Sequence, residues 1–130
     1  MTLAQRMLQS VPDESVTLFD RGYYSLGLLY QWLQAGTNTH WLLPARKDLQ
    51  YEVVRNLSDN DAIVTLTTSP QARKKFDNLP EQMTARLTSY QHNGKTYRVL
   101  SSLIDTLRFT YDEITELSPR GGKLSLDFGK

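Results

Sequence analysis

Cysteine is absent from the sequence, which removes disulfides, thiolate metal sites and thiol nucleophiles together. That absence fits a reducing compartment, and a cytoplasmic location is the expectation. Histidine is nearly as scarce: His40 and His92 stand apart, without the spacing of a ligand pair. No apolar run approaches the ~20 residues needed to cross a bilayer. Met1 to Ser10 has neither the basic flank nor the long apolar centre of a signal peptide. Charge of one sign is lacking too. Fifteen basic residues against 14 acidic ones leave a net +1, too little for a global field that gathers nucleic acid, so only local basic patches remain available.

What is present is enough for one domain of 130 residues, with 39% apolar and 22% charged residues, the proportions of a globular chain. Leu3, Met7 and Leu8 behind Thr2 predict a short helix over residues 2–9, stopped by Pro12. Residues 15–20 predict a strand. Ser25 caps a helix whose Leu26, Leu29, Tyr30 and Leu33 recur at helical spacing, and Gly36 ends it. "HWLLPARKD" then predicts a short buried strand closed by Pro44 and by the basic pair Arg46 and Lys47. Strand, helix and strand in this order predict a parallel α/β unit with Asp20 at the C-terminal tip of its first strand.

From Leu49 the pattern changes. "YEVV", "AIVTLTT", "MTARLTSY" and "KTYRVLSSL" are β-rich runs between polar turns, and Asn93-Gly94 has the chemistry of a type I′ hairpin. Ser69 and Pro70 start a helical turn through "SPQARKKF". The expectation is an α/β fold with an antiparallel β insertion. Thr110 with Glu113 then predicts a capped helix, broken at "SPRGGKLSLDFGK".

"SVTLFDRGYYS" raises the question of function, because a carboxylate at a strand tip beside a helix start suits metal or phosphate chemistry. One carboxylate alone performs none. The bland reading of Asp20 is a strand-end residue capping a turn. Phosphorylation of Asp20 ranks last, since it needs acidic partners for Mg2+ at the same tip and Asp13-Glu14 precedes the strand.

The stretches "SVTLFDRGYYSLGLLYQW", "HWLLPARKD", "PQARKKF" and "VLSSLIDTLRFTYDEITEL", in this order, resemble the insertion-sequence-four family of DDE transposases. The resemblance implies a partial ribonuclease H-like fold. Residues 13–48 would be the core strand-helix-strand, 49–104 the β insertion, and 105–117 the start of the helix that leads to the catalytic Glu. It implies DNA cleavage and strand transfer at transposon-end DNA, by three carboxylates holding two Mg2+ or Mn2+ ions, with a transposase homodimer among the expected partners. Asp20 would be the second carboxylate and a metal ligand, with the first in a strand upstream of Met1. Arg21, Arg46 and Lys47 become candidates for DNA phosphates; for the last two a solvated loop stands equally open. Arg73, Lys74 and Lys75 read as an exposed helical face. Trp32, Tyr30 and Trp41 read as core.

The family's Glu lies in a motif of Tyr, Arg, Glu and Lys that should begin just after Leu117, where this chain has Ser118-Pro119-Arg120-Gly121-Gly122-Lys123. Permissible codons for Arg120 to Lys130, read from the third base of the Arg120 codon, allow Arg-Trp-Glu-Ile-Glu-Leu-Gly-Phe-Arg-Glu, the family's sequence around that Glu. Residues 118–130 are therefore expected to be a frameshifted tail, and the chain inactive by itself. The alternative is a remnant that binds DNA ends or the transposase without catalysing. With its upstream neighbours missing, the first strand is expected to expose an edge.

Overall fold

The computed structural model describes residues 15–19, 25–36, 39–117 and 125–127. The helix expected over residues 2–9 lies outside them, as do Asp20 and Arg21.

Strand β1 (Ser15–Leu18) runs parallel to β2 (Thr39–Pro44), in register from Ser15 with Thr39 to Leu18 with Leu42. Helix α1 (Leu26–Gln34) makes the crossover. Its start is set by Ser25, whose side chain accepts the Leu28 N–H at 3.3 Å. Past its end, the Thr39 hydroxyl donates to the Trp32 carbonyl at 2.8 Å and ties the first residue of β2 to the helix. The parallel unit expected from the sequence is thus present. Val16, Thr17 and Leu18 are all buried, so β1 is covered on both faces, as parallel strands usually are.

The β-rich run expected after Leu49 forms four antiparallel strands: β3 (Glu52–Ser58), β4 (Asp61–Thr67), β5 (Gln82–His92) and β6 (Lys95–Ser101). Asn93 and Gly94, at φ 53° and 78°, form the two-residue turn between β5 and β6. Helix α2 (Pro70–Lys75) joins β4 to β5, capped by Ser69 with proline in its first turn. These four strands are not a separate layer. β6 pairs antiparallel with β2, from Leu42 with Ser101 to Pro44 with Val99, so one mixed sheet runs β3-β4-β5-β6-β2-β1 and ends on β7 (Ser125–Asp127).

Strand β7 (Ser125–Asp127) corrects one expectation. It pairs antiparallel with β1, Val16 opposite Leu126, so the edge expected to stand open is covered by the C-terminal tail. Its backbone supplies hydrogen-bonding groups that would otherwise face water or another chain.

The pleat sends alternate side chains of β2 to opposite faces. Trp41 and Leu43 enter a cluster beneath α1 and α2 with Phe19, Leu29, Trp32, Phe76 and Leu100. Leu42 enters a second cluster with Val16, Leu18, Val99, Leu103, Phe109 and Ile114. Ile114 belongs to α3 (Tyr111–Leu117), which covers that second face. Thr110 and Glu113 form the expected capping box: the Glu113 N–H donates to Thr110 Oγ1 at 3.3 Å and the Thr110 N–H to Glu113 Oε1 at 3.3 Å. Trp32 and Trp41 are core residues as expected, with Tyr30 packed at the margin of the first cluster. No helix among the described residues is long and apolar enough to cross a membrane.

Candidate functional site

The end of the parallel pair carries the described candidates, Arg46 and Lys47. Beyond Leu18 the Phe19 N–H still donates to the Leu42 carbonyl at 2.8 Å, so the ladder carries one residue further than the strand itself. Phe19 is buried and meets Trp32 edge-on, with ring centroids 4.8 Å apart. The residue before Asp20 is therefore anchored from both backbone and side chain; Asp20 and Arg21 themselves lie outside the described residues.

β2 leaves the sheet at the same end, because it is parallel to β1. The Ala45 N–H donates to the Arg98 carbonyl at 2.8 Å, and the chain then turns, the Leu49 N–H reaching the Arg46 carbonyl at 3.2 Å. Arg46 and Lys47 sit exposed on this turn. Arg46 Nε lies 3.7 Å from Asp48 Oδ1, a solvent-facing pair of the kind worth about 0–1 kcal/mol. The fold thus brings the exit from β1 and the Arg46–Lys47 turn to one end of the sheet. It adds a cation that sequence reasoning missed: Arg98, on β6 beside Ala45, whose guanidinium lies 5.8 Å from the centre of the exposed Tyr51 ring. The signal was available only as a pairing of distant strands.

Arg73 departs from the expected exposed basic face. Its Nη1 donates to the Thr68 carbonyl at 2.6 Å and to Thr68 Oγ1 at 3.0 Å, so it closes the turn before α2, while Lys74 and Lys75 are exposed. His40 Nδ1 lies 3.1 Å from Ser102 Oγ, and that oxygen also accepts the buried Trp41 N–H at 2.9 Å. These contacts join β2 to the segment after β6 and gather no ligand set. Among the described residues, no three His, Asp or Glu side chains stand together as a metal site. The described residues alone therefore do not fit a metal centre.

The strongest electrostatic feature lies elsewhere and was not expected. Arg86 on β5 and Asp61 at the start of β4 form a buried ion pair, with side chains 2% and 4% exposed. A single charge in each of two apolar, alternating strands was the only sequence sign. Near it, the Tyr111 hydroxyl donates to the Ser89 carbonyl at 2.5 Å. Partial burial, then the charges of Asp61 and Asp112, raise its pKa above the ordinary 10.0.

No protein-family model matches the chain, and no solved structure matches it. Among curated proteins, Transposase InsG for insertion sequence element IS4, from Escherichia coli (strain K12), is 42% identical over 126 residues, 97% of this chain and 28% of InsG. "Putative transposase InsZ" of the same strain is 50% identical over 52 residues, 40% of this chain and 17% of that protein. The chain spans little more than a quarter of the length of InsG.

Proposed function

From its kinship with the insertion-sequence-four transposases, we propose that this chain corresponds to an inner part of a transposase catalytic region, of partial ribonuclease H-like fold. The observation that carries the reading is the 42% identity sustained over 97% of the chain. The parallel β1–α1–β2 unit supports it, since such units bind ligands beyond the carboxyl ends of their strands. In this reading Asp20, next after the anchored Phe19, is one of the carboxylates that hold divalent cations in the intact transposase. Arg46 and Lys47, at the same sheet end, meet phosphates of transposon-end DNA, with Arg21 a further candidate.

Two-metal phosphodiester chemistry needs several carboxylates around one point. The 130 residues taken alone are proposed to cleave nothing, and the departure from the family motif after Leu117 is proposed to arise from a lost nucleotide. The alternative, a remnant that binds ends without catalysing, draws support from the pairing of β7 with β1, which covers that edge of β1 with a strand of this same chain.

The test is an electrophoretic shift with duplex DNA from the ends of the encoding element, titrated with salt, alongside a cleavage assay in Mg2+ and in Mn2+. The reading expects no cleavage, and salt-dependent binding that weakens when Arg46 and Lys47 are both changed to Ala. Binding unaffected by that double change removes both residues from the proposed DNA contact. Any cleavage by the 130 residues taken alone overturns the expectation of inactivity, and cleavage that also survives Asp20→Asn removes Asp20 from the chemistry.

A further inference from the structure

We propose that Arg86 is a positioning residue: its guanidinium sets where α3 begins, from a seat inside the β insertion. Three of its nitrogens are committed. Nε donates to Asp61 Oδ1 at 2.9 Å and Nη2 to Asp61 Oδ2 at 2.5 Å, the two-pronged match of guanidinium to carboxylate. Nη1 donates to two backbone carbonyls, Leu103 at 3.1 Å and Phe109 at 2.6 Å. Thr88 Oγ1 adds a third donor to the carboxylate, 3.0 Å from Asp61 Oδ1.

Those two carbonyls bracket the link between β6 and α3. Leu103 and Phe109 are buried plugs at its ends, whereas Leu107 between them is 95% exposed. One nitrogen thus holds both ends of the link, and the second end immediately precedes Thr110, the cap of α3. An isolated buried charge is costly and a buried ion pair often adds no net stability, so the pair is explained better by what it specifies than by what it stabilises. What it specifies here is geometry between elements far apart in sequence. The insertion becomes the platform for α3.

The consequence for chemistry rests on the proposed function, in which α3 leads toward the family's catalytic Glu. The tether itself is measurable without that reading.

The experiment is residue-resolved amide hydrogen exchange on the 130-residue chain, unchanged and as Arg86→Lys. Lysine keeps a positive charge against Asp61 but cannot fork to the carboxylate and still reach two carbonyls. Reporter amides are Phe109, bonded to the Asp105 carbonyl, and Ile114, bonded to the Thr110 carbonyl; control amides are those of the β4–β5 ladder. The expected result is exchange at least tenfold faster at Phe109 and Ile114 with the ladder unchanged. Equal acceleration of reporters and ladder, or none at either, overturns the proposal. Should Arg86→Lys fail to fold, Asp61→Asn with Arg86 intact decides: retained protection at Phe109 and Ile114 while the Asp61 side of the ladder loosens supports the tether, and any other pattern overturns it. A failed DNA assay bears on the proposed function alone, because no DNA enters this measurement.

Discussion

The ring of Phe76 lies so close against Gly27 that a β-carbon added there would stand 2.1 Å from Phe76 Cδ2 and 2.3 Å from Cε2. Gly27 is on α1 and Phe76 follows α2, so this contact is how the two helices share one face of the sheet. The ring is buried and has little room to withdraw. Gly27→Ala gains up to about 1 kcal/mol of helix propensity but forces an overpacked contact that typically costs about 1–3 kcal/mol. We expect a net loss of stability in urea unfolding, largely reversed by pairing Gly27→Ala with Phe76→Leu. A stable single variant would show that the ring can move aside.

Tyr111 gives a pH signature. Its folded-state pKa is raised, so its contribution is whole below pH 10 and lost as pH rises through the folded value. Tyr111→Phe removes the hydrogen bond to the Ser89 carbonyl and is expected to cost about 0.5–1.5 kcal/mol at neutral pH. Urea midpoints measured from pH 8 upward should show the gap between the two proteins narrowing above pH 10. A gap that widens there contradicts the sign of the shift.

Ser102 is expected to matter more than an average serine. Its Oγ accepts the buried Trp41 N–H and faces His40, while its own N–H donates to the Trp41 carbonyl at 3.0 Å. Ser102→Ala strands the Trp41 donor on one side, a loss of about 1–3 kcal/mol. Thermal unfolding of the variant checks it, and a change within error would mean that the Trp41 N–H finds another partner.

Removing residues 118–130 deletes β7 and uncovers the outer edge of β1. That strand is buried on both faces, and its newly unpaired backbone groups are a template for another chain. Light scattering should show the shortened chain associating as its concentration rises, at concentrations where the full chain does not. Equal behaviour of the two would mean that β7 protects nothing.

Local chemistry was legible in the sequence wherever a few neighbouring residues decide the outcome. Asn93-Gly94 named its turn, Ser25 and Ser69 their helix starts, and Thr110 with Glu113 their cap, because each acts within four residues of itself. The parallel pair also followed from strand, helix and strand in order. Which edges join did not follow: nothing local to Pro44 or Val99 says that β2 meets β6, and Ser125 to Asp127 carry no mark of pairing with β1. The same limit hid Arg86, whose partners lie 17 to 25 residues away, and Arg98, which meets Ala45 only through strand pairing. At the candidate site, the motif around Asp20 was readable as a resemblance, while the convergence of β1's exit with Arg46 and Lys47 needed the sheet.

The most direct measurement is the nucleotide sequence of the gene from codon 110 onward past the stop, with a comparable length before codon 1. The account predicts that the frame beginning at the third base of codon 120 reads Arg-Trp-Glu-Ile-Glu and continues as transposase, and that an Asp-bearing strand is encoded upstream. Asp20 is then one carboxylate of a divided set. A shifted frame that runs into stops, with no such strand upstream, would contradict it. The tail would then be ordinary divergence, which a match over 97% of the chain, necessarily running past Leu117, accommodates.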